Sequence, residues 1–252
     1  MVQAVVVGLI AFVAIFGGAL FGILAARALP KHHLSTETRA AVSVSEAIVG
    51  TLSALVLGLM ISTASSTFST RSSEVTAISV DLIRINRILQ RYGPEADDVR
   101  AKLRAYAAAK MQELFPEAGK PSPTTKATAV LMEATQDAIL SLAPTDERQR
   151  WLRSQALTLS DGLLQARWQL TERTGRDIPL PFLILLIFWL AIVFASFGLF
   201  APTNATALTV LCLCALAVSG GIAIILDFDT PFTGLVSVSA EPMRQALAQI
   251  MH

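Results

Sequence analysis

Residues 178–226 read IPLPFLILLIFWLAIVFASFGLFAPTNATALTVLCLCALAVSGGIAIIL, a stretch without a single charged side chain. About 20 apolar residues cross the hydrocarbon core of a bilayer, so the run is long enough for two crossings. Its one interruption is Ala201-Pro202-Thr203-Asn204, where proline and asparagine supply turn chemistry. The stretch therefore predicts a membrane helix over 178–200, a turn at 201–204 and a further membrane helix over 205–226.

The rest of the chain agrees with a bilayer setting. Its 252 residues are 53% hydrophobic and only 15% charged, and the mean hydropathy is +0.58, too apolar for an ordinary water-soluble domain. A formal net charge of +1 gives no basic footprint for nucleic acid, which is excluded as a partner. Cys212 and Cys214 lie two apart in an apolar run, about 200° apart around a helix, which suits packing and not a disulfide framework. No nucleophile elbow, P-loop or HExxH motif occurs, so no enzyme activity is expected.

Residues 1–26 lack any charged side chain and form the first expected span; a loop at 27–43 carries Arg27, Lys31, Glu37 and Arg39 around Pro30. The second span, 44–67, is uncharged except for Glu46. A soluble helical domain follows over 68–177, and because no Gly or Pro occurs from Leu59 to Tyr92 its first helix continues the second span. Apolar residues stepping by three and four, Val75, Ile78, Leu82, Ile85 and Leu89, mark that helix's inner seam. Leu152, Ala156, Leu159, Leu163, Ala166 and Leu170 mark another. Gly93-Pro94 starts a further helix, with Val99, Leu103, Tyr106 and Leu114 inward, and a shorter one is expected over 125–142. The tail, 227–252, holds a short helix after Ser239. The fold class that follows is an all-α integral membrane protein, four transmembrane helices in two pairs flanking a cytoplasmic helical bundle.

Arg71, Arg84, Arg87, Arg167, Arg173 and Arg176 outnumber Arg27, Lys31 and Arg39 on the opposite side. The positive-inside rule then puts the domain and both termini in the cytoplasm.

Four-residue steps connect Glu46, Gly50, Ala54, Gly58, Ser62, Ser66 and Thr70, with Ser69 alongside, all small, polar or charged. Each step advances 400°, so the ridge drifts by about 40° per step and winds around the helix. A shorter ridge, Ala14, Gly18, Gly22 and Ala26, lies in the first span. Small residues four apart permit close helix packing. The alternative for the second-span ridge is a water-filled path in which hydroxyls replace part of an ion's hydration shell. Glu46 stands either at the pore mouth or at the interface, capped by the amides of its own helix start. Asp227 and Asp229 follow the last span and need water, basic partners or a shared cation; calcium ordinarily takes six or more oxygens.

The tail Leu226-Asp-Phe-Asp229-Thr-Pro231-Phe232-Thr-Gly234, with Ser239-Ala-Glu-Pro242, resembles the C-terminal signature of the bacterial bestrophin-like domain family. Glu74 and the run Arg84-Ile-Asn-Arg-Ile-Leu89 are similar to the same family. The resemblance implies a homo-oligomeric ion channel of the bacterial inner membrane, anion-conducting as the bestrophins are, in contact with lipid and inorganic ions, with a pore lined by the second span. It also implies a calcium role for Asp227 and Asp229. The other expectation is a non-conducting membrane scaffold or signalling protein that binds partners through the cytoplasmic helices.

Overall fold

Long apolar runs and uninterrupted three-and-four periodicity fold here into helices, and no strand occurs among the described residues. The computed structural model describes residues 2–30, 35–116, 122–172, 180–228, 232, 234 and 237–251. In chain order they form α1 (Val2–Ala28), α2 (Thr36–Tyr92), α3 (Asp97–Leu114), α4 (Thr125–Ser141), α5 (Glu147–Glu172), α6 (Leu180–Phe200), α7 (Ala205–Phe228) and α8 (Glu241–Met251). A 3-10 turn, Pro94–Ala96, precedes α3. Four of these helices, α1, α2, α6 and α7, are long and apolar enough to cross a membrane.

The start of α2 differs from the expected 27–43 loop. The helix begins at Thr36, because the Ser35 hydroxyl accepts a hydrogen bond from the Thr38 N–H at 3.3 Å and Glu37 favours the first turn. No residue from Thr36 to Ser43 breaks a helix. With 57 residues α2 is about 85 Å long, well over the ~30 Å hydrocarbon core, so part of it extends beyond any membrane it crosses. It ends where Gly93 adopts φ 127°, a conformation open to glycine.

The chain divides into two compact units. The first comprises residues 1–68 and 176–237. Within it α1 lies against both α6 and α7, and Ala11, Ile15, Ala19, Leu186, Phe194 and Ile222 form its core with Met60 and Ala64 of α2. The turn between α6 and α7 falls at the expected 201–204, with the Asn204 Oδ1 capping α7 by accepting from the Ala207 N–H at 2.8 Å.

The second unit comprises residues 69–175 and 238–252. All five residues of the seam from Val75 to Leu89 are buried, as are Val99, Leu103, Tyr106 and Leu114 of α3. On α5, Leu152, Ala156 and Leu163 are buried and Leu159 is half-buried; the side chains of Ala166 and Leu170 lie outside the described residues. The terminal helix α8 joins this unit: Met243, Ala246 and Ile250 are fully buried, and the Ser79 hydroxyl meets the Met243 sulfur at 4.0 Å. A buried polar link ties α3 to α4, where Lys110 pairs with Glu113 at 3.1 Å and the Thr128 hydroxyl donates to Glu113 at 2.6 Å.

Tyr92 closes α2 with its ring buried and its hydroxyl without a hydrogen-bond partner among the described residues. Burial pushes its pKa above the usual phenol value, against the opposing effect of Arg153. A buried, unpaired hydroxyl opposes folding, so Tyr92→Phe is expected to raise stability by about 1 kcal/mol, read as a higher melting temperature; a lower one contradicts it.

Candidate functional site

Within the first unit the two small-residue ridges have different surroundings. On α1, a Cβ added at Gly18 would stand 2.5 Å from the Ala191 carbonyl oxygen of α6, and one at Gly22 would overlap the Ala195 carbonyl. Gly198 of α6 returns the approach against the Ala19 carbonyl of α1. Ala14 and Ala26 are half-buried on the same helix. Backbone-to-backbone contact of this kind is the use membrane helices make of small residues.

Nothing comparable covers the ridge of α2. A Cβ added at Gly50 or Gly58 would meet no atom of the described residues within 4 Å. Ala54, Gly58, Ser62, Ser66 and Ser69 are exposed, while Glu46, Gly50 and Thr70 are half-buried. The most apolar window of α2 is 17% buried, the least covered of the four crossing candidates.

Helical geometry explains the change along the ridge. Ser53, Met60 and Ala64 are the buried residues of α2 in this unit. Glu46 is 18 residues before Ala64, about five full turns, and so shares its inward side. Ser62 and Ser66 stand about 160° and 200° around from Ala64, on the opposite side. The ridge thus begins against its own chain and ends facing away from it, and only its later members can share one exposed face.

The outward hydroxyls are also uncommitted. Ser53 and Thr63 donate to carbonyls four residues back, at 2.8 and 3.0 Å. Ser62, Ser66 and Ser69 have no hydrogen-bond partner among the described residues. Beside Ser62 lies apolar surface, with Leu55, Leu59 and Ile61 between 50% and 69% exposed.

Glu46 does not cap the start of its helix. Because α2 starts at Thr36, the carboxylate is nearly three turns inside the helix and out of reach of the free amides. It lines a cavity of about 240 Å³ with Thr38, Ser45, Val49, Ile192 and Ser196. The Ser196 hydroxyl hydrogen-bonds to it and Arg39 acts on it electrostatically; the Arg39 guanidinium stands 5.9 Å over the Phe200 ring. Ser196 was not singled out by the sequence reading. It is the one hydroxyl residue in α6, and that isolation was the available signal.

At the end of α7, Asp227 is buried, and Gly234 lies so close that an added Cβ would stand 2.7 to 2.9 Å from the carboxylate atoms. Phe228 meets Phe68 edge to face, centroids 5.4 Å apart. Asp229, Pro231, Arg173 and Arg176 lie outside the described residues. Among the described residues no three His, Cys, Asp or Glu side chains are grouped to hold a metal. Gly234→Ala forces the buried carboxylate to move and is expected to cost about 1–3 kcal/mol, measured by thermal unfolding; an unchanged transition contradicts the close approach.

These features define an all-helical membrane protein whose long second helix passes from a membrane-type unit into a helical one. The chain belongs to the bestrophin-like domain family, which it matches over residues 13–243. It is similar in fold to crystal structures of a bacterial bestrophin homolog from Klebsiella pneumoniae. One variant aligns with a TM-score of 0.70 at 12% identity, covering 96% of this chain and 97% of that one. Another gives 0.67 at 13% identity over the same shares. No curated protein matches the chain.

Proposed function

We propose that the chain is a subunit of a homo-oligomeric ion channel, with the outward face of α2 turned toward the symmetry axis. The observation that carries this reading is the contrast between the ridges: that of α1 is packed backbone to backbone, whereas Gly58, Ser62, Ser66 and Ser69 are uncovered and their hydroxyls uncommitted. Hydroxyls on a face with no partner among the described residues are matched by water, ions or a second copy, and rings of subunits turn one such face into a continuous wall. Gly50 and Ala54 form the transition to this wall. Glu46, facing Ser196, lies off it and acts on the path through the placement of α2 against α6.

In this reading the spans form two pairs in the bacterial inner membrane, the helical unit and both termini are cytoplasmic, and the exposed apolar residues of α1, α6 and α7 meet lipid. Asp227 is a packing corner, so flux is independent of calcium. A scaffold role is favoured by the exposed Trp151 and Met251 of the helical unit, 60% and 67% accessible. Flux through purified protein in liposomes decides between them: the channel reading expects ion movement above empty vesicles, with or without calcium, and its absence under every ionic condition sinks it.

A further inference from the structure

We infer that the cavity between α2 and α6 is a binding site for a small soluble organic ammonium ion, a cationic head carried on a short apolar body. The cavity has a volume of about 240 Å³, below the ~300 Å³ at which drug-sized pockets begin, so its occupant is small.

Glu46 supplies the charge. It is the one charged residue in the apolar stretches 1–26, 44–67 and 178–226, and no other residue lining the cavity is charged. An intramembrane carboxylate is costly without a partner and marks a functional site by default. Glu46 forms no ion pair among the described residues. Arg39 acts on it only from a distance, with its guanidinium over the Phe200 ring.

The other lining hydroxyls are engaged elsewhere. Ser45 donates to the Ala41 carbonyl at 3.3 Å, and Thr38 shares a hydrogen bond with Ser35 at 3.3 Å. Glu46 and Ser196 remain as the polar pair. The bond from Ser196 uses one of the carboxylate's acceptor sites, and an ammonium head, with three donors, can use the others together with the Ser196 oxygen. Calcium, which ordinarily takes six or more oxygens, is poorly served by one carboxylate and one hydroxyl.

The rest of the lining is apolar. Val42 and Val49 lie one turn to either side of Glu46, and Ile192 and the buried Val193 belong to α6. A carboxylate between such walls complements a cation with a hydrocarbon body and not a bare ion. Ser196 is four residues from the end of α6 at Phe200, about 6 Å along the helix, so a solute from water has a short way to travel.

The site is independent of conduction, and its test does not measure flux. Full-length protein in a non-ionic detergent is titrated calorimetrically at neutral pH with n-butylammonium chloride, in sodium chloride at constant ionic strength. Saturable binding is expected, at least tenfold tighter than for methylammonium, which lacks the apolar body, or n-butanol, which lacks the charge. Glu46→Gln is expected to weaken it at least tenfold. Arg39→Gln removes a competing cation and is expected to bind at least as tightly as the parent, and so is Asp137→Asn in the helical unit. No saturable binding, equal binding by Glu46→Gln, weaker binding by Arg39→Gln, or equal binding of methylammonium or butanol overturns the proposal. Saturation by a water-soluble short-chain phosphatidylethanolamine but not by butylammonium assigns the cavity to a lipid headgroup and overturns the soluble-ligand reading.

Discussion

Gly22→Leu is expected to yield no correctly folded protein. An added Cβ at this position overlaps the Ala195 carbonyl and stands 2.8 Å from the Leu199 N, so the obstacle is the α6 backbone and not the tip of a rotatable side chain. Gly18 and Gly198 hold the same two helices together from either side, which leaves α1 no direction in which to shift. Overpacking ordinarily costs about 1–3 kcal/mol; where two backbones must separate along a whole interface, the loss exceeds about 4 kcal/mol, a large part of a typical folding free energy. The readout is size-exclusion chromatography of the detergent-solubilised protein, where the native peak is expected to disappear. Gly50→Leu, placed where no atom of the described residues lies within 4 Å, is the matched control and is expected to keep the fold. A Gly22→Leu protein with a native elution profile and melting temperature contradicts the packing described.

The helices were legible because burial in a helix leaves a period in the sequence. The seam from Val75 to Leu89 and the inner face of α3 are buried as their spacing requires, and the turn at 201–204 falls where proline and asparagine stand. The use of a small-residue ridge was not legible. Gly18 and Gly58 present the same pattern to a reader of one chain, yet one faces a backbone and the other open space, a difference set by what lies opposite. Glu46 was misplaced for a related reason: the polar residues 36–43 suggest a loop, but they contain no breaker, and the helix runs through them. The closeness of Gly234 to Asp227 is a loop contact without periodicity, and the sequence carried only the residue types that permit it.

The second large effect concerns the outward face of α2. Ser62 is exposed, opposite the buried side of the helix, and flanked along the same face by Gly58 and Ser66. If subunits meet around an axis lined by this face, a side chain at 62 is repeated once per subunit at one level of the path. Bulk added there acts on a ring at once, so its effect on flux far exceeds its effect on stability, which for an exposed position stays within about 0.5 kcal/mol.

That expectation is measured most directly with Ser62→Cys in a Cys212→Ser, Cys214→Ser background, reconstituted in liposomes and treated with a bulky, reversible, membrane-impermeant thiol reagent. Ion flux is expected to fall at least tenfold on modification and to return on reduction. Flux that is unchanged while mass spectrometry shows the thiol modified in every subunit would contradict the claim that α2 lines the path.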